Sequence, residues 1–260
     1  MLLTQEENAA LNLRAMYQDF GYKFFRMRRF EEYDFYAGKK DFLSSGHILT
    51  FTDLNGKLMA LRPDVTLSIL KNVSHGKYYY DEKVYRVPMN SDSFREIPQV
   101  GIENIGQLEA DDVREVLSLA IVSLETIAEG RDFVLDVADA GIVAGLVGGE
   151  RGSEILACLG GKNVHGLREL HAPDELIALA ENPPDELEIL GNLNYRPEIH
   201  IDFSAVTNLR YYNGIVFKGY IEGFHEAVLS GGQYDMGIGS RGMGFAVYLD
   251  VIGNWRGGND

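Results

Sequence analysis

The stretch FREIPQVGIENIG, Phe94–Gly106, reads as a β-strand with an unusual face. Strand side chains alternate, so Gln99, Gly101 and Glu103 share one side. Gly101 leaves an open floor between an amide and a carboxylate whose backbones lie about 13 Å apart at 3.3 Å per residue. A gap of that size suits a small ligand with separate cationic and hydrogen-bonding ends, such as an amino acid. The same pattern fits a solvent-exposed face of an antiparallel sheet, and the residues alone leave both readings open.

Outward from this strand, the chain alternates clear signals. Thr4 followed by Glu7 is a capping box that predicts a first helix, ended by Gly21. YKFFRMRRFEEYDFY is predicted as extended, and HILTFTDLNGKLMALRP as a hairpin turning at Asn55-Gly56. DVTLSILKNV follows as a helix, KYYYDEKVYRV as the strand before the opening one, and MNSDS as the loop between the two strands. ADDVREVLSLAIVSLETIAEG is an amphipathic helix with acids in its first turn. DFVLDVA is a buried strand, and GIVAGLV a short helix. From 149 to about 194 the chain breaks into short helical pieces, read as an insertion or linker. EIHIDFS, RYYNGIVFKGYIEGF (a hairpin around Asn213-Gly214), EAVLSGGQYD and GMGFAVYLDVI are predicted strands. Strands at both ends and helices between them predict an α+β fold with a mainly antiparallel sheet flanked by helices.

With 260 residues, 45% apolar and 11% aromatic, the chain is long and apolar enough to build a large core. One cysteine, Cys158, excludes an intrachain disulfide, and six scattered histidines give no zinc spacing, so no metal is expected. Glu6 and Glu7 stand where a signal peptide would be basic, and no apolar run is long enough to span a bilayer; a cytoplasmic protein without membrane contact is expected. A net charge of −15, from 39 acidic and 24 basic residues, discounts a nucleic-acid partner. KFFRMRRF, Lys23–Phe30, is the one basic stretch, and it reads better as an exposed strand face with interleaved core aromatics.

Six segments occur in one order: ALRPDVT (60–66), VYRV (84–87), FREIPQVGIENIG, LRYYNGIVFKGY (209–220), LSGGQYD (229–235) and GMGFAVYLD (242–250). In that order they resemble the catalytic domains of class II histidyl-tRNA synthetases. The resemblance covers roughly Gly21 to Asp250 and is weakest between 149 and 194. It implies the class II synthetase-like antiparallel sheet as a single domain over 1–260, a homodimer, and a histidine pocket. Residue by residue, it places Asp64, where the family usually has Glu, at the substrate's α-amino group, Thr66 at the neighbouring hydroxyl position and Gln99 at the amino-acid backbone. Glu103 falls at the imidazole, and Tyr211 and Tyr212 at the paired tyrosines, the second lying against the ring. Arg86 stands at a matching arginine position and joins the histidine-binding set, with Arg95 at a second arginine position.

The adenylation machinery of that family departs. Synthetases neutralise ATP phosphates with arginines, because displacement at phosphorus is catalysed mainly by electrostatic positioning. Here the glutamate expected two residues after Arg86 is Pro88, and the family's later arginines are Thr207, Gln233 and Val251. Arg210 is a conceivable stand-in for the one lost at Thr207. The chain also ends about where the anticodon-binding domain would begin, so no such domain is expected.

An amino-acid pocket kept while catalysis and tRNA binding are lost resembles the regulatory subunits of ATP phosphoribosyltransferase, a paralogous family. That resemblance implies no catalysis by this chain and no cofactor. It also implies a hetero-oligomer with the short catalytic subunit in the first step of histidine biosynthesis, with L-histidine as feedback effector. Two other readings compete: a minimal histidine-activating enzyme, and a scaffold paralogue that has lost its ligand. LGGKN (159–163) lacks full phosphate-loop spacing and reads as a glycine turn, and Cys158 as a small core residue.

Overall fold

A computed structural model describes residues 3–39, 43, 47–87, 92–235, 237 and 241–253. The chain divides into two compact units, one of residues 1–105 and 246–260, the other of 106–245.

The first unit opens with helix α1 (Gln5–Asp19), whose Thr4 and Glu7 form the reciprocal capping box. Gly21 adopts φ +84°, a conformation that favours glycine. β1 (Lys23–Phe24) then lies parallel to β5, and β2 (Phe30–Glu32) joins a small separate sheet. The extended reading of YDFY is corrected: Tyr33–Ala37 is helix α2. Aromatic content argued for strand there, but the pairing of β2 with β4 ends at Glu32↔Met59, and Tyr36 turns into the core.

β3 (Thr50–Thr52) and β4 (Leu58–Leu61) form the expected hairpin. Asp53 Oδ1 accepts from the Asn55 and Lys57 N–H groups at 2.9 and 2.8 Å, while Gly56 supplies φ +77°. Helix α3 (Val65–Leu70) follows, then the eleven-residue strands β5 (Gly76–Arg86) and β6 (Arg95–Ile105), paired antiparallel in unbroken register from Gly76↔Ile105 to Arg86↔Arg95. Val65 and Ile69 of α3 pack with Tyr80, Val84, Ile97 and Ile105 of these strands. The exposed reading of the basic stretch holds: Lys23, Arg26, Arg28 and Arg29 face solvent, while Phe25 and Met27 pack against that same core.

The second unit begins with α4 (Ala110–Ala128), which buries Val113, Val116, Leu117, Ala120, Ile121, Leu124 and Ile127 along one stripe. Leu124 lies against Gly219, where any β-carbon would come within 2.7 Å of it. β7 (Phe133–Asp139) leads into α5 (Ala140–Leu146) and then three short helices, α6 (Gly152–Gly160), α7 (Val164–Glu169) and α8 (Asp174–Glu181). These are no loose linker. Ile155, Leu159, Leu167 and Leu176 share one buried cluster with Ala138 and Val216, and half-buried Cys158 packs on it. LGGKN is the α6–α7 turn, with Lys162 at φ 52° bound to Asp202 Oδ2 at 2.5 Å.

A 3-10 segment (Glu188–Tyr195) and β8 (Ile199–Ile201, parallel to β7) precede β9 (Tyr212–Ile221). The predicted hairpin at Asn213-Gly214 is corrected, because β9 is one strand through that dipeptide. Its turn falls after Ile221, and β10 (Leu229–Asp235) returns in the register Leu229↔Gly219. The second unit's strands are ordered β10-β9-β7-β8. β11 (Arg241–Tyr248) begins in the second unit and ends in the first. It stops earlier than predicted, since Leu249–Gly253 form helix α9, which packs on α1 and β6.

Candidate functional site

The segment LRPDVT places two side chains by separate devices. Arg62 is fully buried and consumed by the framework: Nη2 binds Glu82 Oε2 at 2.7 Å and the Lys83 carbonyl at 2.8 Å, and Nη1 the Arg28 carbonyl at 3.0 Å. Glu82 Oε1 in turn accepts from the Met27 N–H at 3.1 Å, so this ion pair ties three segments together. Asp64 caps α3, its Oδ1 accepting from the Leu67 N–H at 2.8 Å. Burial pushes the Asp64 carboxyl above its ordinary value, against the opposing pull of the Leu67 N–H and the Arg86 and Arg62 cations. Two residues on, Thr66 donates its hydroxyl proton to Glu103 Oε1.

The polar face of β6 is therefore no solvated face. Gln99 is 4% exposed and Glu103 2%, and buried polar groups persist only when partnered. The register sets Glu82, Tyr80 and Tyr78 opposite Gln99, Gly101 and Glu103. Burial, then the charge of Glu103, holds the Tyr80 phenol far above its ordinary range, with Asp64 adding to the effect. Two carboxylates thus act on one buried phenol, and of the two cations that pull on Asp64, Arg62 is already paired with Glu82 while Arg86 exerts the larger pull. Such an arrangement accepts N–H donors and favours a cation.

Asp64, Thr66, Arg86, Gln99 and Glu103 all lie in the first unit. The Thr66–Glu103 bond and the Asp64–Arg86 interaction join four of them in two pairs, and Gln99 shares Glu103's strand face. Tyr211 and Tyr212 lie in the second unit, packed on each other at 4.7 Å between ring centroids, with Tyr234 6.0 Å from Tyr211.

The departures from the synthetase pattern have local accounts. Gln233 sits in a β-bulge, and its Oε1 accepts from the Ile215 N–H at 2.8 Å, repairing the ladder where the register shifts. A β-carbon on Gly214 would collide with that amide. Thr207 and Arg210 are exposed, Arg95 is exposed at the start of β6, and Val251 is a half-buried residue of α9. Pro88 lies outside the described residues. Among the described residues no group of three His, Cys, Asp or Glu side chains could hold a metal, and no helix is long and apolar enough to cross a membrane.

Sequence reasoning missed Glu31, Tyr36 and Ser68, which form a buried network behind α3. Nothing in FEEYDFY separates Glu31 from an ordinary strand acid; only its pairing with Ala60, which turns it inward, does.

With this geometry in hand, the class is settled. The chain belongs to the histidyl-tRNA synthetase family, whose model matches residues 2–182 and 185–252. Within that class its similarity runs to ATP phosphoribosyltransferase regulatory subunits. The one from Caldanaerobacter subterraneus is 27% identical over 95% of this chain and 77% of its own length, and the one from Lactococcus lactis 28% identical over 92% and 89%. A crystal structure of an ATP phosphoribosyltransferase regulatory subunit/histidyl-tRNA synthetase from Bacillus halodurans matches with a TM-score of 0.79 at 22% identity, covering 99% of this chain and 82% of that one. The ATP phosphoribosyl transferase complex from Thermotoga maritima gives 0.73 at 19% identity, over 94% and 97%. These structures establish the fold: a mixed sheet flanked by helices, as in class II synthetase catalytic domains.

Proposed function

We propose that this chain is a non-catalytic regulatory subunit of ATP phosphoribosyltransferase that binds L-histidine and sets the activity of a short catalytic subunit. The relatives support a regulatory role in histidine biosynthesis and a hetero-oligomeric partner. The family match across both units supports reading the whole chain as one synthetase-like core with 149–194 inserted in it. One observation carries the ligand: Gln99 and Glu103 are buried on a single strand face, with the Thr66 hydroxyl already on Glu103. In this reading Asp64 and Thr66 take the α-ammonium, Gln99 the amino-acid backbone and Glu103 the ring N–H. Arg86 balances Asp64 and meets the carboxylate end, while Tyr211 and Tyr212 enter through the family resemblance alone. Feedback requires histidine to favour one state of the complex, and a coupling of about 1–3 kcal/mol suffices.

A minimal histidine-activating enzyme is the second reading, and Arg86 with Arg95 opposite it in the register is the observation that favours it. Calorimetric titration with L-histidine and then ATP separates the two. Histidine binding without ATP binding supports the regulator; binding of both supports the enzyme, and binding of neither a scaffold. Histidine-dependent exchange of pyrophosphate into ATP above a blank would overturn the regulatory reading.

A further inference from the structure

Behind α3, a chain of buried oxygens runs from the small sheet to the residues assigned to histidine. Glu31 of β2 is 7% exposed, and Tyr36 of α2 and Ser68 of α3 are fully buried. The Tyr36 hydroxyl donates to Glu31 Oε2 at 2.5 Å and lies 2.9 Å from Ser68 Oγ, which donates to the Asp64 carbonyl at 3.0 Å. The phenol proton goes to the carboxylate, so the single Ser68 proton is divided between the Asp64 carbonyl and the phenol oxygen. All three members are buried, and none is needed to cap α3, because Asp64 caps the helix with its own side chain.

α3 is thereby held from two sides. Thr66 joins it to β6 through Glu103, and Ser68 joins it to α2 and β2 through Tyr36 and Glu31. Thr66 is itself one anchor and the Asp64 carbonyl is bonded to the other, Ser68, while the Asp64 charge is felt at the Tyr36 phenol. Resting on the histidine-site reading above, we propose that Tyr36 is a positioning residue: through Ser68 it fixes where Asp64 and Thr66 stand relative to Glu103, and so the separation between the ammonium and imidazole ends of the site. The consequence is stereochemical. An L-amino acid presents its ammonium at one place once its ring is seated, and its mirror image presents it at another, so preference for L- over D-histidine depends on that separation.

The test uses the full chain and calorimetric titration with L- and D-histidine, well below the melting temperature of each variant. Tyr36→Phe is expected to weaken L-histidine binding about tenfold, the loss of one buried hydrogen-bond link, and to lower the L-over-D preference. Ser68→Ala should reproduce both effects, and the double variant should add little to either single one, because the residues act as one link. A role limited to stability would lower the melting temperature and leave the L-over-D ratio at its wild-type value; that result in both variants overturns the proposal. If Tyr36→Phe fails to fold, Ser68→Ala decides alone. Glu103→Ala run alongside separates the two levels. Loss of binding there, with wild-type behaviour at Tyr36 and Ser68, defeats the positioning role and leaves the site standing; undiminished binding there defeats both.

Discussion

Strands β6 and β10 each carry a polar residue at a position marked by the synthetase resemblance, and the two strands use it differently. On β6 the polar pair Gln99 and Glu103 is buried, and Thr66 supplies Glu103 with a donor from a separate helix. On β10 the position of the family's arginine is Gln233, whose amide is turned inward to repair its own ladder at Ile215. One strand holds its polar groups desolvated against a partner from another element, and the other has spent its polar group on the backbone. A buried polar face bonded to a separate helix is what the proposed histidine site needs, whereas a polar side chain that completes its own strand's ladder is committed to the framework.

Selectivity should show the largest effect. A site built to hydrogen-bond an imidazole rejects an apolar analogue by up to about 10⁴-fold, since the wrong side chain offers the proposed acceptor Glu103 no ring N–H. Competition titrations with phenylalanine and leucine measure this, and either one binding as tightly as histidine would break the contrast between β6 and β10. Next comes Glu103→Ala, which should cost on the order of 1.5–3 kcal/mol, about tenfold to a hundredfold in histidine affinity. In a complex reconstituted with the short transferase, the variant should still support phosphoribosyl transfer while its histidine inhibition curve moves to higher concentration. An unchanged curve would place the effector site elsewhere.

The other strand can be pressed too. Gln233→Arg restores the family's residue but removes the acceptor for the Ile215 N–H and crowds Gly214, where the glutamine amide already leaves no room for a β-carbon. Leaving that N–H unsatisfied should cost about 1–3 kcal/mol in a denaturant melt, without creating pyrophosphate exchange. A variant of wild-type stability would mean the bulge needs no side-chain repair.

Much of this was legible in the sequence where the signal is local. The Thr4–Glu7 capping box, the Asp53–Gly56 turn and the stripe of α4 act within a few residues, and each was found where composition put it. Asn213-Gly214 misled because the dipeptide that favours a hairpin also suits a strand opposite a bulge, and only the partner strand decides. The site divided along the same line. Gln99 and Glu103 were visible as strand-face polar residues, but their burial depends on α3 arriving from elsewhere in the chain. Glu31, Tyr36 and Ser68 meet only in three dimensions, so no spacing announces them.

The smallest effect expected is a pH dependence carried by Asp64. Burial raises this carboxyl above its ordinary value, so its proton is held to a higher pH than on a free aspartate at about 3.9. Only the ionised form attracts an ammonium; histidine affinity should therefore fall on acidification, beginning above the usual carboxylate range. The ligand's own imidazole, near 6.5, protonates in the same direction and strengthens its contact with Glu103, which opposes the loss. Asp64→Asn separates the two contributions, because asparagine still caps a helix and cannot titrate. The difference between wild-type and variant profiles is the Asp64 limb alone, and a flat difference would remove Asp64 from the ammonium site. Stability without ligand supplies the opposite sign. A folded-state value above the unfolded one gives stabilisation that is complete below about 3.9 and lost as pH rises through the folded value. Relative to Asp64→Asn, the unliganded wild type should thus gain melting temperature on acidification over the window in which it loses histidine affinity.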